Sequence, residues 1–359
     1  MTIGLDQKSQ GDIKLIWKTF KSINSNVRIR DAANILGYSE AQLLSTSCGE
    51  SVVRLKPDWE NILFGIKQIG TVMVLTQNDG AISKNIGNYP VTNFRENEFS
   101  TIGDKINLRL NVNNWRMAFA VEENNEESIL RSFQFFDEHG TAVHKVYLTK
   151  ESNTKVYDDI VKINKSEDQR SLQHVEKSET TSKVNILPPI NISEFEQKWL
   201  KLSDVHDFQK FLSKYGIGRV QAYNLVKDQL ACRVNNNGLN KILLLAAENC
   251  VPLMFFVQNI GVVQIQSGLI EEVKQIGNWV NVIAHDFNVQ INKKNIHSSW
   301  VVKKQTEYGI VTSFEIYDRN EKKIATIYSK RDENRNTPSK WTTLLNSILP
   351  KTVRENDYI

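Results

Sequence analysis

Two copies of one β-rich pattern, offset by 181 residues, constrain this chain more than any other feature of its sequence. The run from Asn107 to Lys150 overlays Asn288 to Arg331 without a gap, pairing Asn107 with Asn288, Asn111 with Asn292, Val121 with Val302, Ser132 with Ser313, Phe133 with Phe314, Asp137 with Asp318 and Tyr147 with Tyr328. The same offset lays Gln77-Asn78-Asp79-Gly80 on Gln258-Asn259-Ile260-Gly261, and Gly87 on Gly268. A register kept over that distance means two similar folds in tandem. A chain of 359 residues also suits two domains of about 170 residues each better than one core. The expected division is an N-terminal half over 1–165, a linker over 166–195 and a C-terminal half over 196–359.

Composition narrows the function classes. The net charge of +4 is small for this length, so any basic site is local and a general polyanion-binding surface is not implied. Cys48, Cys232 and Cys250 are scattered without CxxC spacing, which argues against a disulfide framework or a structural zinc site. The N-terminus carries no apolar signal core, and the apolar stretches Ile242 to Ala247 and Cys250 to Val257 are too short to span a bilayer. The expectation is a soluble, cytoplasmic protein with no membrane insertion.

Each half reads as helices followed by strands. In the first, Arg30 to Leu36 and Ser39 to Leu44 form two short helices separated by a stop at Gly37. In the second, Val205, Phe208, Phe211, Leu212 and Tyr215 make an apolar stripe at helical spacing, with Ser203 or Asp204 as N-cap. Gly216 and Gly218 close that helix and Arg219 opens the next. Leu108-Arg109-Leu110, Val289-Gln290-Ile291 and Ser313-Phe314-Glu315-Ile316 alternate as strands with one face on a core and the other free. Phe136 to Gly140 and Tyr317 to Glu321 are matching hairpin turns. Ser166 to Lys183 is rich in Ser, Glu, Lys and Gln and has little to bury. The fold class is α+β, a tandem pseudo-repeat in which each half is a large antiparallel β-sheet with several helices at its N-terminal side.

What differs between the copies points to chemistry. His206 lies off the apolar stripe, beside Gln209, Lys210 and Ser213, and the offset of 181 pairs it with Ser25. A histidine on a polar flank is by itself an ordinary solvated group. The remaining histidines show no HxxH, HxH or HExxH spacing. Lys303 and Lys304 replace Glu122 and Glu123, Arg219 replaces Tyr38, and Arg331 overlays Lys150. Such swaps on strand surfaces also drift freely between duplicated copies. One histidine with dispersed cations and aromatics suits a planar dianion with a metal centre, the imidazole on iron and Arg or Lys on the carboxylates. Arg109, between Leu108 and Leu110, faces away from their side of the sheet.

The residues also carry a family resemblance. Leu108-Arg109-Leu110 followed by Trp115, then Phe119-Ala120-Val121, Ser132 to Gly140 and Val143-His144-Lys145-Val146-Tyr147 resemble the first-half signature of the bacterial haemin-degrading factors, also called haemin transport proteins. Asp204-Val205-His206-Asp207-Phe208, Asn259 to Ile265, Trp279 to Val282, Trp300 to Thr306 and Val311 to Glu315 resemble its second-half signature. The match spans about nine tenths of the chain, in order, on both copies. The chain departs from the family pattern at Asn111, at Gln305 within Lys304-Gln305-Thr306, and at Ser329-Lys330 before Arg331.

The resemblance implies one haem (iron protoporphyrin IX) per chain, bound in a cleft. It places His206 as axial ligand, Arg109 on the distal side, and Arg219, Phe256, Lys304, Tyr328 and Arg331 around the propionates and macrocycle. It implies oxidative ring opening and iron release, with electrons from an external reductant, since no GxGxxG loop is present for a dinucleotide. A haem importer on the cytoplasmic side is the implied source of the ligand. A non-enzymatic haem carrier uses the same pocket and remains open as an alternative. Nucleic-acid binding by the helix-glycine-helix segments around Gly37 and Gly218 is disfavoured, because Val220 to Val226 offers few base-reading residues and the chain lacks a basic footprint.

Overall fold

The computed structural model describes residues 10–90, 93–95, 98–103, 105–124, 129–172, 175–176, 189–204, 207–307, 309–330 and 339–354. His206 and Arg331 lie outside the described residues, as do Val205, His174 and most of the segment read as linker. In chain order the first part comprises α1 (Gln10–Ile23), α2 (Ile29–Leu36), α3 (Glu40–Ser45), β1 (Val52–Leu55), α4 (Trp59–Gln68), β2 (Thr71–Gln77), β3 (Ala81–Asn88), β4 (Asn93–Arg95), β5 (Glu98–Ile102), β6 (Asn107–Asn111), β7 (Met117–Asn124), β8 (Ile129–Phe136), β9 (Ala142–Leu148) and α5 (Thr154–Asn164). The second comprises α6 (Ile192–Leu200), α7 (Asp207–Lys214), α8 (Arg219–Leu225), β10 (Ala231–Val234), α9 (Gly238–Glu248), β11 (Leu253–Gln258), β12 (Val262–Gly268), β13 (Glu272–Ile276), β14 (Trp279–Ile283), β15 (Phe287–Asn292), β16 (Ser298–Thr306), β17 (Gly309–Tyr317), β18 (Lys323–Ser329), α10 (Ser339–Asn346) and α11 (Lys351–Arg354).

The chain divides into two compact units. Unit 1 holds 1–77, 84–180 and 259–263, and unit 2 holds 78–83, 181–258 and 264–359. In unit 1 the antiparallel order is β1, β7, β8, β9, β2, with β4, β5 and β6 as a separate meander. In unit 2 it is β10, β16, β17, β18, β11, with β13, β14 and β15 as the meander. The offset of 181 holds from β2 to β9, down to a matching bulge between Phe135 and Phe136 and between Ile316 and Tyr317. After each bulge the turn needs a left-handed residue. Gly140 supplies it at φ 69 and Glu321, without that freedom, at φ 58.

Upstream of β2 the offset changes. The helix-ending glycines Gly37 (φ 73) and Gly216 (φ 64) lie 179 positions apart, as do the N-caps Ser39 and Gly218. Ser39 forms a full capping box with Gln42, whereas Gly218 keeps only the half in which Gln221 Oε1 accepts the Gly218 N–H at 2.8 Å. Arg219 therefore corresponds to Glu40, not to Tyr38. The discrepancy arises because the second copy is two residues longer between α8 and β11, an insertion invisible when one offset is applied throughout.

Two further expectations change. The polar face of β17 is not free: Ser313, Glu315 and Tyr317 are all buried, because Phe195, Trp199, Phe208, Phe211 and Tyr223 of α6, α7 and α8 pack over Trp300, Val302 and Tyr317. The segment read as linker begins as a strap on unit 1. Gln169 accepts the Arg54 N–H through Oε1 (2.9 Å) and donates from Nε2 to the Arg54 carbonyl (2.9 Å), so a side-chain amide satisfies the outer edge of β1. Ser45 Oγ accepts the Leu172 N–H at 2.9 Å.

Each unit contains a hairpin tip from the other half of the sequence. In unit 2, Asn78 Oδ1 accepts from the Gly80 and Ala81 N–H groups while its Nδ2 donates to the carbonyls of Gln258 (2.9 Å) and Ile324 (2.8 Å). In unit 1, Asn259 does the same for Gly261 and Val262 and donates to the carbonyls of Gln77 (3.0 Å) and Val143 (2.7 Å). One amide thus folds its own turn and satisfies two part-buried carbonyls. The glycine in each tip is required by close approach. A methyl at Gly261 would lie 2.7 Å from Trp115 Nε1 and 2.9 Å from Val143 Cβ, and one at Gly80 would lie 2.7 Å from Ile324. Gly261→Ala is expected to lower stability by about 1–3 kcal/mol through overpacking, read as a lower denaturant midpoint at unchanged slope.

His144, in the core of unit 1, gives a pH prediction. Its ring lies among Tyr89, Trp115 and Phe135, with Nε2 3.3 Å from the Tyr89 hydroxyl, and burial pushes its pKa down to about 3 from 6.5. The unfolded ring takes a proton as pH falls through 6.5 and the folded ring does not until about 3. Stability that is complete above 6.5 is therefore lost progressively across that window. His144→Leu is expected to lose less stability than the wild type between pH 7 and 4.5, measured by chemical denaturation at each pH.

Candidate functional site

The buried face of β16, β17 and β18 in unit 2 concentrates the charge that the sequence comparison pointed toward. Register places Trp300, Glu315, Thr326 and Phe256 in one row across four strands, and Phe314 opposite Ile327 sets Ser313 beside Tyr328 in the next. Glu315 has no exposed surface. Its Oε1 lies 2.6 Å from Lys304 Nζ and accepts from Ser313 Oγ at 3.0 Å. Its Oε2 lies 3.1 Å from Lys323 Nζ and accepts from the hydroxyls of Tyr223 (3.0 Å) and Tyr317 (2.5 Å). Arg219, at the first turn of α8, sits with its guanidinium 5.0 Å from the Phe208 ring centre, and Lys304 Nζ lies 4.9 Å from the same ring.

Three cations thus face one carboxylate that has no exposed surface, Lys304 buried and Lys323 and Arg219 partly so. Burial alone would raise the Glu315 pKa, but Lys304, Lys323 and Arg219 hold it well below the carboxylate range. Burial pushes Lys304 down against the pull of Glu315. It pushes Lys323 down to about 7, with Glu315 opposing and Arg219 and Lys304 assisting. Beside this cluster the face opens: Met254, Phe256 and Tyr328 are partly exposed, and the rings of Phe256 and Tyr328 meet edge to face at 5.3 Å. Burial raises the Tyr328 hydroxyl pKa and keeps it protonated.

Of the residues singled out in the sequence, the structure brings Arg219, Lys304, Phe256 and Tyr328 together on this face. Arg109 belongs to unit 1, where it is exposed on β6 between buried Leu108 and Leu110. His206 and Arg331 lie outside the described residues. The sequence reading missed Glu315, Lys323, Tyr223 and Tyr317. Lys323 and Glu315 stand where the first copy has Ala142 and Gln134 at the offset of 181, so the same comparison contained the signal. In unit 1 the position corresponding to Arg219 is Glu40, 3 % exposed, which lies 3.2 Å from Lys145 Nζ and 3.5 Å from Arg30.

The duplicated α+β architecture and this cluster define a class of protein, two related units of which the second buries an excess of positive charge. The chain belongs to the family of the Haemin-degrading HemS.ChuX domain, which matches it twice, over residues 37–163 and 216–348. It is 30% identical over 325 residues to the hemin transport protein HmuS of Yersinia pestis, covering 90% of this chain and 93% of that one. Its fold is similar to holo-PhuS, a heme-binding protein from Pseudomonas aeruginosa (29% identity, TM-score 0.90, 95% of this chain and 99% of that one). It is also similar to the Escherichia coli O157:H7 heme degrading enzyme ChuS (27% identity, TM-score 0.87, 95% and 100%).

Removing the central carboxylate while leaving its cations buried is expected to be severe. Glu315→Ala should cost about 3–5 kcal/mol and Lys304→Met distinctly less, since two cations still pair with Glu315; thermal and denaturant unfolding of both variants checks the order.

Proposed function

We propose that this chain binds haem as its substrate, through unit 2, and opens the ring oxidatively in the cytoplasm, releasing iron with electrons from an external reductant. The observation that carries the binding part is the charge imbalance: Arg219, Lys304 and Lys323 against Glu315, next to the half-open aromatic edge of Phe256 and Tyr328. A flat apolar dianion fits both features. Its carboxylates relieve the positive excess and its rings cover the aromatic edge, which supplies most of the affinity.

Arg219 and Lys304 are assigned to the propionates, joined by Arg331, and Phe256 and Tyr328 to the macrocycle. His206 is assigned to the iron, where its basicity follows from what its second ring nitrogen meets. Arg109 is assigned to hydrogen-bond donation on the distal side through its guanidinium. Haem iron supplies the oxygen chemistry of ring opening; the chain's own residues bind, orient and polarise. A haem-degrading enzyme among the similar structures supports this reading. A curated relative named as a transport protein favours a second, in which the chain carries haem from an importer to a later acceptor without chemistry.

Haemin titrated into wild type is expected to give a sharp Soret shift that saturates near one equivalent. In His206→Ala the shift should be weakened or altered, and an unchanged spectrum and affinity would reassign the iron ligand. With reductant and oxygen added, bleaching of the Soret band with release of iron identifies the enzyme; an intact Soret band identifies the carrier.

A further inference from the structure

We propose that Lys323 accepts a proton when a dianionic tetrapyrrole enters on the Arg219 and Lys304 side of Glu315, so that ligand capture and proton uptake are one event. The inference rests on the reading of unit 2 as a haem site and deepens it. It starts from how Glu315 is shared. Each oxygen takes one lysine nitrogen, Lys304 on Oε1 at 2.6 Å and Lys323 on Oε2 at 3.1 Å. Lys304 and Arg219 both border the Phe208 ring. Lys323 comes from the opposite end, where the bulge after Ile316 sets it against Tyr317, and its Nζ lies 5.7 Å from that ring. Its side chain is 11% exposed.

The groups around Lys323 are Arg219 and Tyr223 from α8, Lys304 from β16, and Glu315 and Tyr317 from β17; Tyr328 of its own strand couples to the same carboxylate. The tyrosines stay neutral, since burial raises the pKa of each. Among the described residues one anion therefore serves three cations. Arg219 does not give up its proton, and Lys304 holds the shorter contact to Glu315. Lys323, with a pKa near 7, is the member whose charge is least supported. Two added negative charges on the near side raise its proton affinity, and the proton comes from solvent.

The sign follows from linkage. Below about pH 7 Lys323 is already charged and binding takes up nothing. Above it, binding takes up as much as about one proton, and affinity falls up to about tenfold per pH unit. Lys323→Arg keeps the charge without titrating, so it should bind at alkaline pH as tightly as the wild type does at acid pH.

The probe is metal-free protoporphyrin IX, which removes iron ligation and its pH dependence. Calorimetry at about pH 8, in two buffers of different ionisation enthalpy, reads the proton count directly. Wild type is expected to take up a large fraction of one proton, and Lys323→Arg and Lys323→Met none. The Arg variant should also lose the decline in affinity between about pH 6 and 9. Binding by the wild type without proton uptake, or uptake that persists in Lys323→Arg, overturns the proposal and leaves the haem site standing. Failure of the wild type to bind both protoporphyrin and haemin overturns the two together.

Discussion

A single carboxylate organises the interior of unit 2. Glu315 contributes to no apolar core, yet two lysines, one serine and two tyrosines converge on its two oxygens within 3.1 Å. Ion pairs this far from water are not in themselves stabilising relative to apolar packing. Their value lies in holding charged side chains in one geometry that no solvated surface would impose. The aromatic cover from α6, α7 and α8 is the other half of that arrangement. It excludes water from the pair and lends ring faces to Arg219 and Lys304.

Much of the fold was legible because it is written twice. The turn asparagines and the alternation of the strands recur at an offset of 181 and the glycine stops at 179, and local patterns of this kind depend only on near neighbours in the chain. The site was legible in part, for the same reason. Lys304, Phe256 and Tyr328 stand on strands where the offset holds, and Arg219 was found although its partner in the first copy was misassigned.

What the sequence did not reveal is instructive in physical terms. Alternation along Ser313 to Ile316 predicts one wet face, and that prediction fails because helices from elsewhere in the chain cover it; alternation cannot distinguish a solvated polar face from a buried polar network. Lys323 stands next to a turn, where nothing in the sequence distinguishes it from a solvated lysine. Only the bulge after Ile316, a backbone feature, aims it at Glu315 rather than at water. The exchange of Arg219 for Glu40 shows how two copies keep one scaffold with a different charge at one place, since in each case the residue follows an N-cap and interacts with an oppositely charged group on the strands, Lys145 for Glu40 and Glu315 for Arg219.

The hairpin tips built around Asn78 and Asn259 mean that the boundary of the sequence repeat is not the boundary of the folded unit. A gene fragment cut between the repeats would encode a second unit lacking Asn78, and the carbonyls of Gln258 and Ile324 would lose their donor inside the protein. Divergence after duplication is thereby tethered: either copy is at liberty to change what it binds, but neither can be discarded without depriving the remaining one of part of its interior.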